Sequence, residues 1–600
     1  MGCCSSTEKR YIQYKYCPLT KPQKAIKQHY NVVVIGSGYG GAVAACRAAR
    51  AGQSVCVLEK GMEWLPGDFP EAMEDSFRAT YVDGELAQKT FGHPSNLFQF
   101  KACKNLTVMT GCGVGGSSLI DEGVALDCKA AVFYDPVWPD AFREDLDNFK
   151  KYDRAYSEQM LRPRPYPDDY PVMKRINQLR EIGTRLEVVD IEDMNKSFFR
   201  TPMFINFEDA PSNHVGMPQP ACNGCGNCLS GCNTGAKNNV AMNYLPDAVQ
   251  RGAEIFTQIE VTAVLKDYES YQWQIFYRSL DGSGAKEERS IRANIVIISA
   301  GSLGSTKILL ESSLRGLEVS SEVGKNFYTN GGIFGVSYNG KEASHAVGLH
   351  TGMFKGKPKA KYGPAPGPTA TALLDLRKKR DGFVMHDVTV PRSFAAPYVV
   401  ASAISSGQIN PPNFPSGPQW NGLLQRLGQA ALANTLGLYC MTNSDSPGEL
   451  FIDENTKQVS IDWDPNKHKK YYHTVEKALR QAVEILGGHC SVDPLWSSQF
   501  GPGHLSRHPI GGCCMGNTGL NGVVNDKGQV FIGDSDDTYD GLYIVDGSII
   551  PCVLGVNPAF TITCIAERCM RLLAQDESWT TDYTLQPQGQ RRPDRTDTSV

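Results

Sequence analysis

At 600 residues, 41% hydrophobic and 21% charged, the chain is too long for one simple core and too apolar to be disordered. With a formal net charge of -4, a strongly basic face is not expected, so nucleic acid is not an expected partner. No stretch approaches the 18 consecutive apolar residues of a membrane-crossing helix, so none is predicted.

The N-terminus, MGCCSSTEKR, has no apolar core of a secretory signal. With 19 cysteines and no such signal, the expectation is a cytoplasmic chain with mostly reduced thiols. The same ten residues fit M-G-x-x-x-[ST], with Gly2 as acceptor and Ser6 in place, and Cys3 and Cys4 are placed for palmitate. Two acyl chains anchor stably where one does not, so a membrane surface is an expected partner through Gly2, Cys3 and Cys4. The competing reading is a chance match in a polar tail.

Residues 31–60, NVVVIGSGYGGAVAACRAARAGQSVCVLEK, read as a buried parallel strand, a glycine turn, a small-residue helix and a second strand. Gly36, Gly38 and Gly41 form G-x-G-x-x-G directly after the first strand. The first glycine permits the turn, the second lets backbone approach a pyrophosphate, and the third lets helix and strand pack. Glu59 ends the second strand, where an acid accepts hydrogen bonds from a ribose. An acid there favours an unphosphorylated ribose, hence FAD or NAD over NADP. A second glycine cluster, GCGVGGSSLIDEG, runs from Gly111 to Gly123 and lets a flat cofactor lie against backbone; by itself it is equally a packed turn.

Residues 130–220, rich in Pro, Asp and Tyr, read as an irregular insertion. Cys222, Cys225, Cys228 and Cys232 then follow the C-x2-C-x2-C-x3-C spacing of bacterial ferredoxins. An iron–sulfur cluster on these four thiolates is one expectation; zinc, a disulfide and a structural turn are the others. Residues 254–300 alternate like antiparallel strands and end in a buried strand and a glycine turn. Residues 331–420 show few long helical patterns. Residues 473–489, HTVEKALRQAVEILGGH, read as an amphipathic helix stopped by two glycines. GLYIVDGSIIP reads as a buried strand, and the last residues as a frayed tail.

Taken together these segments resemble the glucose–methanol–choline (GMC) family of flavin oxidoreductases, most closely its cholesterol-oxidase-like branch. The resemblance runs across most of residues 31–575. It rests on Gly36, Gly38, Gly41 and Glu59; on Gly111 to Leu119, which includes Gly113, Gly115, Gly116 and Ser117; on Ile298 to Ser305; on HPIGGCCMG at 508–516; and on VDGSIIPCVLGVNPAFTITCIAER at 545–568. It implies FAD as cofactor, with Val261 beside adenine and Asp546, Gly547 and Pro558 near the ribityl and phosphate region. It implies His508 as the residue that holds or relays a hydroxyl proton and Asn557 as the amide that orients the hydroxyl. Some bacterial members carry an iron–sulfur cluster near the cysteine-rich segment. The chain departs from the family at Asp121, where Asn is usual, followed by Glu122; two carboxylates near a flavin disfavour its reduced form unless one points away. His386 and Asp387 stand loosely where cholesterol oxidases carry a further carboxylate base, with a surface pair as the competing reading, and isomerase activity is not carried over.

The expected fold is therefore α/β: a Rossmann-like FAD-binding domain built from discontinuous segments, plus a sheet-containing substrate domain. The FAD-binding domain takes residues 30–128, 222–330 and 501–576. The substrate domain takes residues 129–221 and 331–500. Residues 1–29 and 577–600 are tails. The expected activity is oxidation of an alcohol on a largely apolar molecule such as a sterol, terpenoid or polyketide, with oxygen or an external redox partner taking the electrons. The alternatives are a non-redox lyase that keeps FAD for structure and a membrane-tethered redox sensor built on Cys222 to Cys232.

Overall fold

A computed structural model of the chain describes residues 16–87, 90–170, 173–187, 194–282, 287–348, 366–378, 382–408, 431–454, 456–494 and 504–585. Gly2, Cys3 and Cys4 lie outside the described residues.

The strand His29–Ile35 ends in the apolar run Val32 to Ile35, Val55–Leu58 is apolar throughout, and Val32, Val33 and Val34 are fully buried. Burial on both faces is what a central parallel strand requires. These two strands sit within a parallel row ordered Glu254–Phe256, Val55–Leu58, His29–Ile35, Glu288–Ile298 and Thr538–Ile544. The first half of Glu288–Ile298 pairs antiparallel with Gln272–Ser279, which pairs in turn with Ile259–Asp267, and Gln529–Phe531 completes eight strands at Thr538–Ile544.

The helix Tyr39–Arg50 is buried along its whole length, which its small side chains permit. Its two arginines end in buried ion pairs. Arg47 donates to Glu567 at 2.7 and 2.6 Å, and Arg50 donates to Asp247 at 2.6 and 2.8 Å. These pairs tie the helix to Ala559–Asp576 and to Tyr244–Gln250.

A second, antiparallel sheet runs in the order His489–Val492, Gly332–Tyr338, Leu436–Thr442, Phe383–Val388, Ala372–Asp375 and Phe198–Arg200. The helix Pro465–Leu486 packs on it through Val475, Ala478, Leu479, Ala482 and Leu486. That helix starts eight residues before 473, because Asp464 caps it by accepting from Asn466 N at 2.9 Å and Pro465 occupies its first turn. Gly487, at φ 64°, ends it.

Two readings of irregular chain are corrected. Residues 130–220 contain the helices Asp140–Glu144, Arg154–Leu161 and Lys174–Arg185. Their order comes from tertiary contacts that local periodicity does not show: Phe133, Trp138, Phe142 and Phe149 pack ring on ring, and Arg568 and Arg571 pair with Asp145 and Asp153. Residues 577–585 are docked, with Tyr583 stacked on Tyr156 at 4.0 Å and Arg50 donating to the Asp582 and Thr584 carbonyls.

A four-stranded sheet positions the site. Thr80–Asp83, Phe98–Ala102 and Leu106–Gly111 are joined by His504–Ser506, whose residues lie parallel to Leu106, Thr107 and Val108. Arg507 and His508 therefore emerge beside the strand that leads into Gly111–Glu122. Among the described residues, no helix is long and apolar enough to cross a membrane.

Candidate active site

In a parallel α/β sheet, ligands bind outside the carboxyl ends of the strands. Here those ends supply Gly36, Ser37 and Gly38; Glu59; Ser299, Ala300 and Gly301; and Asp546 and Gly547, all of which line one cavity of about 420 Å³. At Gly36, φ is +93°, and a side chain would place Cβ 2.4 Å from the Ser299 carbonyl. A Cβ at Gly41 would meet the Gly36 carbonyl at 2.1 Å, so this residue packs the turn and is not part of the lining. Gly38 has open space where its Cβ would be, the clearance a phosphate chain needs. Gly40, absent from the sequence reading, is the tightest position, with its Cβ falling 1.7 Å from the Val545 carbonyl.

Glu59 is buried and accepts from Ser37 N at 3.0 Å, Ser37 Oγ at 2.6 Å and Gly61 N at 2.8 Å. Burial pushes its pKa up against those hydrogen bonds. Ser37 Oγ also accepts from Gly115 N at 3.0 Å and approaches the Gly113 carbonyl at 3.3 Å. Gly113 and Gly115 thus brace the first glycine turn, whereas Gly116, Ser117, Val261 and Pro558 line the cavity. The Asp546 carboxylate is taken up by Ser305 Oγ, Gly301 N, Ser548 N and Ser548 Oγ at 2.5 to 2.8 Å. It locks the strand end and leaves its backbone facing the cavity. The open face at Gly38, the acid at the second strand end and the glycine-walled floor at Gly116 fit FAD.

The far part of the cavity gathers titratable and polar side chains. His508 and Asn557 are both buried, and Asn557 Nδ2 donates to His508 Nε2 at 3.4 Å and to Glu122 Oε2 at 3.4 Å. Since Nε2 accepts, the ring proton sits on Nδ1, where Tyr439 Oη lies 3.0 Å away. Tyr439 remains a phenol because burial pushes its pKa up. Glu122 Oε2 is 3.5 Å from His508 Nε2, and Glu122 Oε1 is 3.4 Å from Arg507 Nη1. Burial opposes ionisation of Glu122, but His508, when it carries a proton at Nε2, and the Arg507 charge hold its pKa well below the usual carboxylate range. The Arg507 guanidinium lies over the Tyr439 and Phe334 rings at 4.7 and 5.1 Å.

Asp121 turns away from this corner. It accepts from Tyr39 Oη at 2.5 Å and from Gly123 N at 2.9 Å, and it pairs with Lys237 Nζ at 2.9 Å. Its charge is thereby compensated. His386 and Asp387 are fully buried, which corrects the surface-pair reading. Asp387 is held by Arg175, Thr371 and the Ala372 N–H, so it is a structural anchor and not a free base.

The iron–sulfur expectation for Cys222, Cys225, Cys228 and Cys232 finds no support among the described residues. Among the described residues, no three His, Cys, Asp or Glu side chains are placed to hold one metal ion. The segment serves instead as a packed clamp. Lys237 Nζ donates to the Cys228, Leu119 and Asp121 carbonyls at 2.7 to 3.2 Å. The Asn233 side chain ties Gly67 and Phe69 to the same loop. Burial raises the thiol pKa values of Cys222, Cys225 and Cys232, that of Cys225 to about 12.

Sequence reasoning missed Arg507, Tyr439, Lys237 and Gly40. Arg507 directly precedes the HPIGG motif and Lys237 closes the GAK triplet, so both were within reach of a motif; Tyr439 lies in an apolar strand that carries no signal.

Two models of the GMC oxidoreductase family match, one over residues 31–330 and the other over residues 444–566. The chain belongs to the GMC oxidoreductase family. A cholesterol oxidase of Acinetobacter baumannii is 25% identical over 90% of this chain and 94% of its own length. A long-chain-alcohol oxidase of Arabidopsis thaliana is 24% identical over 89% of this chain and 66% of its own length. Among solved structures, an FAD-dependent oxidoreductase from Chaetomium thermophilum matches with TM-score 0.56 at 16% identity, covering 92% of this chain and 100% of that one. A pyridoxine 4-oxidase from Mesorbium loti matches with TM-score 0.55 at 14% identity, covering 91% and 99%. As a GMC oxidoreductase, the protein is an FAD-dependent enzyme acting on CH–OH donors.

Proposed function

We propose that this GMC oxidoreductase oxidises an alcohol carried on a largely apolar small molecule, with sterols, terpenoids and polyketides as the candidate classes. The observation that carries this reading is the junction of His508 and Asn557 with a wall of Phe334, Val388, Val390, Phe394, Tyr398 and Leu505 in one cavity. Such a wall excludes water and binds an apolar body by area, while the polar pair fixes the hydroxyl. The relatives named as cholesterol and long-chain-alcohol oxidases support the same direction, and their naming as oxidases supports oxygen as the electron acceptor.

FAD, when bound along Gly38, Glu59, Gly116 and Gly547, supplies the acceptor for the hydride of the carbinol carbon. Asn557 orients the hydroxyl oxygen. His508 receives the hydroxyl proton at Nε2, the nitrogen that faces Asn557 while Nδ1 is held by the Tyr439 contact. The N-terminal Gly2, Cys3 and Cys4 pattern supports an enzyme held at the cytoplasmic face of a membrane, which labelling with myristate and palmitate checks.

The test is the anaerobic absorption spectrum of the holoenzyme with a panel of alcohols. Bleaching of the flavin by sterols or long-chain alcohols, and not by short polyols, is expected. Bleaching by sugars or short polyols alone would overturn the apolar substrate class. No bleaching by any alcohol, with reactivity confined to the thiols, would favour the sensor reading.

A further inference from the structure

The geometry points to Glu122 as a positioning residue of the reaction: its carboxylate is the counter-charge that retains the abstracted proton on His508. The inference rests on the alcohol-oxidation reading above. Glu122 Oε2 sits beside both atoms that handle the hydroxyl, 3.5 Å from His508 Nε2 and 3.4 Å from Asn557 Nδ2. Among the described residues no other carboxylate lies within ion-pair distance of either group; Tyr439 lies on the other side of the imidazole, with His386 across the Tyr439 ring.

Glu122 is 2% exposed, and Arg507 pairs with its other oxygen, so the carboxylate stays ionised inside an apolar corner. That charge has little to do in the resting site, where Nε2 carries no proton. It acquires a role when the alcohol reacts. The hydroxyl O–H bond breaks and an Nε2–H bond forms; the carbinol C–H bond breaks with its electron pair leaving to oxidised FAD, and the carbonyl product remains. His508 is then a cation, and its new Nε2–H faces Glu122 Oε2. A carboxylate that stabilises an imidazolium formed in the reaction is the role of the acid in hydrolase triads, reached here from the opposite ring nitrogen. Arg507 fits the same scheme, since it opposes proton transfer onward to Glu122.

The experiment counts protons. Wild-type holoenzyme is mixed anaerobically, in weak buffer at about pH 8 with a pH indicator, with an alcohol that bleaches its flavin. Retention of the proton predicts release of well under half a proton per flavin in the bleaching phase, where the reaction alone generates one. Release of a full proton with bleaching in the wild type would overturn the role of Glu122 and leave alcohol oxidation standing. If no alcohol bleaches the flavin, the alcohol reading fails first and the Glu122 role with it. In Glu122→Gln, the proton should appear in solution and the bleaching rate should fall roughly a hundredfold, with the alcohol concentration at half-maximal rate little changed. The midpoint potential should rise, because one buried negative charge is gone. A rate that is unchanged or faster in that variant would equally overturn the inference. Should the variant not retain FAD, the wild-type proton count decides alone.

Discussion

Tyr439 sets which nitrogen of His508 meets the substrate. Replacing it by Phe removes the partner of Nδ1 without opening space, so the ring loses its fixed tautomer. Tyr439→Phe should lower the limiting bleaching rate about tenfold while leaving FAD content unchanged, read by single-turnover kinetics. A second residue-scale effect concerns Asp493, buried near His504 with 3.7 Å between carboxylate and Nδ1. Burial raises its pKa to about 7 in the fold. A carboxyl raised above its unfolded value of about 3.9 binds a proton more tightly in the native state, so its contribution to stability is complete below about pH 4 and is lost as pH rises to about 7. Asp493→Asn should flatten that part of the stability profile, read as Tm between pH 4 and 8.

At the scale of elements, the helix Tyr39–Arg50 joins cofactor binding to stability. Its N-terminal end faces the cavity, and its far end is held by the buried Arg47–Glu567 and Arg50–Asp247 pairs. Truncating Arg47 leaves Glu567 buried with only Tyr244 Oη as a charge-stabilising donor, at 2.7 Å. Breaking such a pair is destabilising by about 3–5 kcal/mol, so Arg47→Ala should lower the denaturant midpoint strongly and weaken FAD retention. Gly40→Ala tests the other end. Its Cβ would overlap the Val545 carbonyl at 1.7 Å, forcing helix and strand apart, and the purified variant should lack the flavin absorbance bands.

For the whole molecule, the cavity is walled by the ends of strands from the first, middle and last parts of the chain. A cofactor lying across them stabilises only the assembled state. FAD at a hundredfold its Kd should add about 2.7 kcal/mol to the stability of the stripped protein, seen as a Tm that rises with FAD concentration.

Much of this was readable in advance because it is local. Strand, glycine turn, helix and acid lie within residues 31–60, and each residue type answers a backbone or phosphate requirement at a fixed spacing. His508 and Asn557 were legible through motifs in contiguous segments. The cysteine spacing is equally local, but spacing records only which thiols are near in the chain and not what they hold. Glu122 was visible only as a departure from a pattern, and Arg507 and Tyr439 were not seen.

The sequence by itself determined the cofactor-binding turn, the family and the His508–Asn557 pair proposed to handle the alcohol, because short-range geometry dictates those residue types. Only the tertiary structure decided that Asp121 turns to Lys237 and Tyr39 while its neighbour Glu122 turns to His508, Asn557 and Arg507. The physical reason is the register of His504–Ser506 against Leu106–Val108, a pairing between segments far apart in the chain. It sets two oppositely charged residues into one apolar corner, where each must compensate the other.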